Sequence, residues 1–200
     1  MNTSFSGKLL LAIVRFFFFF WHPIFRVRGR EHVKKSGRLM ICCNHVSMSD
    51  PLWAMHALKL PHIPRIMAKK EVMDAPVLGP FLKHYGIFGV DRDNADVNAI
   101  KMGLRCLNDD QQMLIFPEGT RVKRGKTVEP KRGAVTLAAR TNTPILPVYL
   151  SVKRFPFSVM KCVIGQPYML EFEGKKPTDE ELKRLTEELM EKIYKLGDEK

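Results

Sequence analysis

Short apolar runs alternate with stretches of helical periodicity from residue 37 onward, and this alternation limits the folds open to the chain. The clearest example is RLMICC (residues 38–43), a buried-strand pattern, followed by a helix that opens at Asp50-Pro51 and runs to about Leu58, with Asp50 as its N-cap. Strands that alternate with helices form a sheet covered by helices. The sequence therefore predicts an α/β fold with a mixed, mostly parallel central sheet flanked by helices.

The same rules predict the other elements. Strands are expected at PRIMAKKE (64–71), GIFGVDR (86–92), MLIF (113–116), PILPVYLSV (144–152), MKCVIG (160–165) and YMLEFE (168–173). The prolines of PILPVYLSV predict an edge strand or a bulge. Helices are expected at 76–84, at 134–142, after a cap at Asp93 or Asn94 with the apolar face Val97, Ile100, Leu104 and Leu107, and at 176–197 with a capping box of Thr178 and Glu181.

The N-terminus carries an apolar run, LLLAIVRFFFFFW (residues 9–21), with Arg15 inside it and Pro23 just after it. A transmembrane helix needs roughly 20 apolar residues, so this run is too short to span. No small-residue cleavage site follows, which argues against a signal peptide. Phenylalanines on every helical face favour a short membrane-associating helix in one leaflet, with a buried core helix as the alternative.

The charge balance indicates an anionic partner. The 200 residues hold 33 Lys and Arg against 21 Asp and Glu, a net charge of +12 with a pI near 9.7. Such an excess suits nucleic acid, an anionic membrane or phosphate-bearing substrates. Near the apolar run, Arg26, Arg28 and Arg30 are expected to meet anionic headgroups. The regularly spaced aromatic residues of a nucleic-acid-binding sheet are not evident, so no nucleic-acid partner is expected.

NHVSMSD (residues 44–50) places His45 where a strand gives way to a helix, a common position for a site in an open α/β sheet. A neutral imidazole can take a proton from a hydroxyl, and a carboxylate on its other nitrogen fixes its tautomer. Asp50 can supply that carboxylate. Ser47 and Ser49 are too close in sequence to His45 for a triad to be assumed, so the activated hydroxyl is expected to belong to the substrate.

Two other interpretations of this segment remain open. Asp50 can serve only as a helix cap, because the H-x4-D spacing is common by chance. Cys42 and Cys43 can join His45 and Asp50 in a metal site, although no second ligand pair has zinc-site spacing. The four cysteines, which include Cys106 and Cys162, otherwise suggest reduced, buried thiols in a cytosol-facing protein.

FPEGTR (residues 116–121) has the composition of an anion-binding turn. Gly119 permits a tight backbone, Thr120 can donate to a phosphate oxygen, and Arg121 offers a planar fork suited to phosphate. Glu118 can orient Arg121 or accept hydrogen bonds from substrate hydroxyls. The alternative is an Arg–Glu pair that only braces the turn.

Two further cations are expected at strand ends. Lys69 ends PRIMAK and Arg92 ends GIFGVDR. Together with Arg121 they would form an anion pocket, whereas each alone is typical of a solvated surface charge.

NHVSMSD, GIFGVDR, FPEGTR and PILPVYL (144–150) resemble, in order and spacing, the four sequence blocks of the PlsC-type glycerolipid acyltransferases. The resemblance implies that His45 is the general base and Asp50 its orienting partner. It places Glu118, Gly119, Thr120 and Arg121 in the acceptor's phosphate and glycerol site, assisted by Arg92. Lys69 is added on physical grounds. Gly89 and Leu146 depart from the family's usual residues without removing a polar group.

The activity implied is transfer of a fatty acyl group from acyl-CoA or acyl carrier protein to the free hydroxyl of lysophosphatidic acid, with no cofactor or metal. Alternatives are another acceptor (glycerol 3-phosphate, another lysophospholipid or an aminolipid) and a non-catalytic binder of anionic lipid. The expected organisation is a membrane-associating segment at 1–36, an acyltransferase domain at 37–174 and a C-terminal amphipathic helix at 175–200. The protein is expected to bind membrane lipid at the cytoplasmic face of the cell membrane.

Overall fold

A computed structural model describes residues 24–74, 76, 79, 87–90, 97–123, 126–152 and 158–198. Its strands are β1 Phe25–Arg28, β2 Leu39–Cys43, β3 Arg65–Lys69, β4 Phe88–Val90, β5 Gln112–Ile115, β6 Ile145–Leu150 and β7 Met160–Ile164. They form one seven-stranded sheet in the order β1-β7-β6-β2-β5-β3-β4. Only the β6–β7 pair is antiparallel among these neighbours. The prediction of a mixed, mostly parallel sheet is confirmed.

Helices cover both faces of the sheet. They are α1 Asp50–Leu58, α2 Lys70–Met73, α3 Val97–Asn108, α4 Gly133–Thr141 and α5 Asp179–Lys195, with a 3₁₀ turn at Arg30–His32. α1 packs into one apolar core, whereas α3, α4 and α5 share the other. β2 lies at the centre and supplies side chains to both cores, which explains its uninterrupted apolar sequence.

The C-terminal helix α5 begins as its sequence predicts. The Thr178 side chain accepts a hydrogen bond from the Glu181 amide, and the Glu181 carboxylate accepts one from the Thr178 amide. This reciprocal pair is the predicted capping box. Leu185, Leu189 and Ile193 then bury one face of α5 against the core that α3 and α4 share.

The prediction that PILPVYLSV is an edge or bulged strand is wrong. β6 lies between β2 and β7 in the interior of the sheet. Pro147 is tolerated because it pairs with β7 where that ladder ends: its carbonyl accepts the Gly165 amide at 2.9 Å. The N–H and C=O of a strand residue face the same neighbouring strand. The N–H that Pro147 lacks would therefore have made only the last hydrogen bond of the β6–β7 ladder.

The predicted apolar face of α3 is also wrong in part. Val97 and Ile100 are exposed, and the buried stripe is Ala99, Gly103, Cys106 and Leu107. A small residue is needed at Gly103 because α3 lies close to α4 and β3 there. A β-carbon on Gly103 would lie 2.8 Å from Leu137 Cδ1 and 3.2 Å from Met67 Cε. Size at the contact, rather than hydrophobicity alone, selected the buried face.

YMLEFE does not form the predicted strand. Tyr168 makes an isolated antiparallel bridge to Ile145, and residues 169–172 continue outside any strand. Residues 169–172 cannot extend the pairing along β6, because β6 already has β2 on one side and β7 on the other.

β1 lies within residues 1–36, the segment expected to associate with the membrane. It pairs in parallel with β7 as an edge strand of the sheet. Phe25 packs on Trp53 with ring centroids 4.9 Å apart, which anchors the strand to α1. Along β1, the exposed Arg26 and Arg28 alternate with the partly buried Phe25 and Val27. The alternation of Phe25 and Val27 with two arginines is itself a strand pattern, but only four residues carry it, so the arginines were instead expected to meet lipid headgroups.

The predicted apolar helix at 9–21, most of the helix at 76–84, and the caps Asp93 and Asn94 lie outside the described residues. Within the described ranges, no helix is long and apolar enough to cross a membrane.

Candidate active site

His45 lies just past the carboxyl end of β2, where Asn44 ends the strand. The buried Asn44 side chain donates to the Leu150 carbonyl at 2.9 Å and accepts from the Leu150 amide at 2.7 Å. The amide side chain thus substitutes for one more backbone pair between β2 and β6. This clamp fixes the point at which the chain leaves the sheet, and hence the position of His45.

The His45 imidazole is held by Asp50. Nδ1 lies 2.9 Å from Asp50 Oδ2, and the Asp50 carboxylate is fully buried. A carboxylate can only accept, so Nδ1 carries the proton and donates it. Nε2 is left with its lone pair and makes no hydrogen bond to a residue that the structure describes. The ring is therefore in the tautomer that can accept a proton.

Asp50 does not cap α1, contrary to the sequence prediction. The N-cap position is Ser49, and Asp50 is already helical. Its carboxylate points back over the turn instead, where Oδ2 accepts from the Val46 amide at 2.6 Å and the Ser47 amide at 2.7 Å. Together with the imidazole, three donors converge on one carboxylate oxygen. The interpretation of Asp50 as no more than a cap does not account for this arrangement.

The FPEGTR segment forms a tight turn after β5, the strand beside β2. The Gly119 amide donates to the Phe116 carbonyl at 3.0 Å, which closes a β-turn with Pro117 at its second position. Gly119 has φ +66°, and a β-carbon there would lie 2.9 Å from Lys131 Cγ. Glycine at this position thus satisfies both the backbone conformation and the close approach of Lys131.

Two hydrogen bonds join this turn to the backbone of His45. The His45 amide donates to Glu118 Oε2, and the Val122 amide donates to the His45 carbonyl at 2.8 Å. The Phe116 ring stacks on the imidazole, with centroids 4.3 Å apart and planes at 26°. The two segments that carry the candidate residues are therefore one connected structure.

Glu118 is buried, with 3% of its surface exposed. Burial raises the pKa of its carboxyl, and hydrogen bonds from the Tyr194 hydroxyl and the His45 amide oppose that rise. Both carboxylate oxygens already accept from the chain itself: Oε2 from His45 and Oε1 from Tyr194. Within the described residues, neither a hydrogen bond nor an ion pair joins Glu118 to Arg121.

The structure describes some of the residues that were predicted to bind the phosphate, but not all of them. Thr120 and Arg121 are exposed, and Arg121 makes no hydrogen bond or ion pair to a described residue. Arg121 immediately precedes Val122, so its backbone adjoins the His45 loop. Lys69 ends β3, the strand next to β5, but its side chain lies outside the description. Arg92 also lies outside the described residues, two positions after β4 ends.

Comparison with known proteins identifies the family. The model of the family described as Acyltransferase matches residues 24–151. The chain belongs to this acyltransferase family. It is 31% identical over 176 residues to a 1-acyl-sn-glycerol-3-phosphate acyltransferase of Bacillus subtilis, covering 86% of this chain and 87% of that protein. It is 33% identical over 130 residues to one of Borreliella burgdorferi, covering 62% of this chain and 50% of that protein.

The fold of this acyltransferase family member is also that of a solved structure. The crystal structure of the 1-acyl-sn-glycerophosphate (LPA) acyltransferase PlsC from Thermotoga maritima superposes with a TM-score of 0.70 at 21% identity. The match covers 97% of this chain and 78% of that chain.

Three residues of this candidate site were not predicted from the sequence. Phe116 begins FPEGTR, but nothing local indicates that it stacks on an imidazole. Asn44 begins NHVSMSD, and a polar residue directly after a buried strand is a signal for such a clamp. Tyr194 lies in the amphipathic pattern of α5, 76 residues from Glu118 in sequence, and carries no local signal at all.

The alternative of a metal site with two cysteines is contradicted by their placement. Cys42 packs in the core of α3, α4 and α5, whereas Cys43 packs in the core of α1 on the opposite face of the sheet. Adjacent strand residues point to opposite faces, so these two side chains cannot share one ion with His45. Within the described ranges, no group of three or more His, Cys, Asp or Glu side chains is arranged to hold a metal ion.

Proposed function

We propose that this acyltransferase moves a fatty acyl group from an acyl thioester to the free hydroxyl of lysophosphatidic acid, which gives phosphatidic acid. The observation that carries the proposal is the His45 imidazole: Nδ1 donates to the buried Asp50 carboxylate, and Nε2, which has no hydrogen bond to a described residue, can take a proton. The relatives named above as 1-acyl-sn-glycerol-3-phosphate acyltransferases support this choice of acceptor.

In the proposed reaction, His45 acts as general base. Its Nε2 takes the proton of the acceptor hydroxyl as that oxygen attacks the carbonyl carbon of the thioester. The tetrahedral intermediate collapses with cleavage of the carbon–sulfur bond, and the imidazolium returns the proton to the departing thiolate. Asp50 stabilises the imidazolium and keeps the ring fixed, as a buried carboxylate does in other histidine-based sites. No acyl-enzyme is needed, because the nucleophile belongs to the lipid.

Arg121 is proposed to hold the acceptor's phosphate. Its guanidinium is exposed, unpaired among the described residues, and carried by the turn that is hydrogen-bonded to His45. A planar guanidinium can bind a phosphate through two parallel hydrogen bonds. Thr120 on the same turn is proposed as a further donor, and Arg92 and Lys69 as additional cations. A fixed phosphate holds the acceptor hydroxyl in position for attack, and such positioning can lower the activation barrier by several kcal/mol.

Residues 9–21 are proposed to associate this protein with the cytoplasmic face of the cell membrane. The proposal rests on the apolar run itself and on the net charge of +12. Both lipids of the proposed reaction reside in a bilayer, so attachment to one leaflet would bring them to the site. The exposed Arg26 and Arg28 of β1 lie immediately after this run and are suited to anionic headgroups.

The proposal is tested by pairing each acceptor with each donor on the full chain in liposomes. Lysophosphatidic acid, glycerol 3-phosphate and a neutral lysophospholipid are each offered with acyl-CoA and with acyl carrier protein. The variant His45→Ala is compared with His62→Ala. His62 is exposed and precedes the amino end of β3, whereas the candidate site lies at the carboxyl ends of the strands.

The expected result is turnover with lysophosphatidic acid that His45→Ala abolishes and His62→Ala preserves. Acyl transfer by His45→Ala at the wild-type rate would exclude the general-base role. Turnover only with another acceptor would exclude lysophosphatidic acid as substrate. Vesicle binding without any turnover would indicate a lipid-binding protein instead of an enzyme.

A further inference from the structure

Tyr194, in the last turn of α5, reaches the active site from the far end of the chain. Its hydroxyl donates to Glu118 Oε1, while Glu118 Oε2 accepts the backbone amide of His45. A continuous hydrogen-bonded chain therefore runs from the C-terminal helix through one carboxylate to the backbone of the proposed general base.

Tyr194 is 38% exposed, and contacts at the end of α5 position its ring. Its neighbour Ile193 is fully buried in the core. The Tyr194 ring meets Tyr149 of β6 edge-on, with centroids 6.3 Å apart and planes at 65°. One turn later the backbone of Gly197 lies against the same Tyr149 ring, so closely that a β-carbon there would come within 2.6 Å. These contacts set the register of α5, and hence the reach of the hydroxyl.

Glu118 needs this partner because it is buried. Desolvation raises the pKa of its carboxyl, and the hydrogen bond from Tyr194 is the largest influence that lowers it again. The titratable groups that face Glu118 are His45 from the β2–α1 loop, Asp50 from the start of α1 and Tyr194 from α5. Loss of the Tyr194 hydroxyl would favour protonation of Glu118, which weakens its hold on the His45 amide because an ionised acceptor bonds more strongly.

We propose that Tyr194 is a positioning residue of the acyl-transfer site, which acts through Glu118 on the backbone of His45. It is not a catalytic residue, since its hydroxyl touches neither the imidazole nor the exposed Arg121. The inference rests on the proposed function of His45. It assigns α5, outside the four sequence blocks, a role in catalysis.

The test compares Tyr194→Phe with Tyr168→Phe. Both variants lose one phenolic hydroxyl, but that of Tyr168 is buried without a hydrogen-bond partner in the described part of the chain. Phenylalanine at 194 keeps the ring against Tyr149, so the helix should remain docked. Steady-state kinetics with lysophosphatidic acid are measured from mildly acid to mildly alkaline pH, and thermal unfolding is followed for each variant.

Tyr194→Phe is expected to lower kcat roughly tenfold, as loss of a hydrogen bond to a charged group would. The acceptor's KM should change less than about twofold, because the phosphate-binding residues are untouched. The acid limb of the kcat profile should move to higher pH, since the Glu118 pKa rises. Tyr168→Phe should leave kcat, the acceptor's KM and the acid limb of the kcat profile unchanged. A wild-type kcat and pH profile in Tyr194→Phe would overturn the proposal.

A second measurement separates this inference from the proposed function. The amide resonance of His45 in ¹⁵N-labelled protein reports on its bond to Glu118 whether or not the chain turns over lysophosphatidic acid. Tyr194→Phe should shift that resonance and speed its hydrogen exchange, whereas Tyr168→Phe should not. An unchanged His45 amide in a folded Tyr194→Phe protein would overturn the inference even if His45→Ala confirmed the proposed function.

A double variant tests whether Tyr194 acts on His45 only through Glu118. If Tyr194 acts only through Glu118, the kcat of Glu118→Gln with Tyr194→Phe should lie within about twofold of that of Glu118→Gln alone. Multiplication of the two single losses would overturn the inference, because it would give Tyr194 a separate route to His45.

Discussion

The backbone amide of His45 donates a hydrogen bond to the carboxylate of Glu118, a residue 73 positions further along the chain. The bond joins the loops that follow two neighbouring parallel strands, β2 and β5, at their carboxyl ends. Ligand sites of open α/β sheets lie at this edge. The two most distinctive polar segments of the sequence are therefore parts of one site.

Asp50→Asn should lower kcat roughly ten-thousandfold, the scale seen when an orienting carboxylate becomes an amide. Three donors converge on the Asp50 oxygen, and an amide presents one neutral oxygen and an NH2 group to them. The measurement is single-turnover acyl transfer, with thermal unfolding to correct for lost stability. Asp109→Asn, on the exposed end of α3, should match wild type. Near-normal turnover by Asp50→Asn would contradict the orienting role.

Arg121→Ala should raise the acceptor's KM about tenfold or more, as loss of charge-assisted phosphate contacts would. Arg121→Lys should recover only part of the affinity, because an ammonium lacks the planar fork. Initial-rate kinetics over a range of lysophosphatidic acid concentrations give the measurement.

The control for Arg121→Ala is Arg105→Ala, which removes an exposed charge from α3. A general electrostatic attraction to the lipid would make the two variants equivalent, and equal KM values would therefore argue against a specific phosphate contact at Arg121.

Gly119→Ala should destabilise the fold and the site together. Alanine at φ +66° costs about 1 kcal/mol or more, and its β-carbon would also press on Lys131 Cγ. Gly174→Ala is a matched control, with φ +74° and nothing within 4 Å of the added carbon. Urea unfolding should show the larger loss at 119, and only that variant should lose activity. Equal losses at both positions would mean that the Lys131 contact is relieved without cost.

Thr178→Ala should lower the free energy of unfolding by about 1 kcal/mol, the usual contribution of an N-cap. Thr127→Ala, at an exposed loop position, should change it little. Urea unfolding followed by circular dichroism provides both values. Equal stability of the two variants would show that the capping box of α5 contributes nothing.

The same capping box should make stability depend on pH. Hydrogen bonds from the Glu173 and Thr178 amides lower the pKa of Glu181. A carboxyl with a lowered folded-state pKa stabilises the fold above its unfolded-state pKa, and this contribution is lost as the pH falls through the folded-state value. Glu181→Gln should therefore be less stable than wild type at neutral pH, and the difference should shrink on acidification. A difference that is constant with pH would contradict this origin.

The sequence determined what depends on neighbouring residues. The apolar run of β2, the capping box of α5 and the turn at Gly119 each follow from a few consecutive side chains, and the structure contains all three. His45 and Asp50 were paired from their spacing, and the structure places them within hydrogen-bonding distance.

Tertiary structure alone decided which surfaces meet. The burial of Gly103 in place of Ile100, the interior position of β6 and the contact between Tyr194 and Glu118 depend on elements far apart in the chain. Periodicity and propensity describe a segment by its own residues, whereas these outcomes depend on the shape and polarity of its partner. Local sequence therefore specified the strands, helices and turns, but close packing between distant segments selected the buried faces and completed the site.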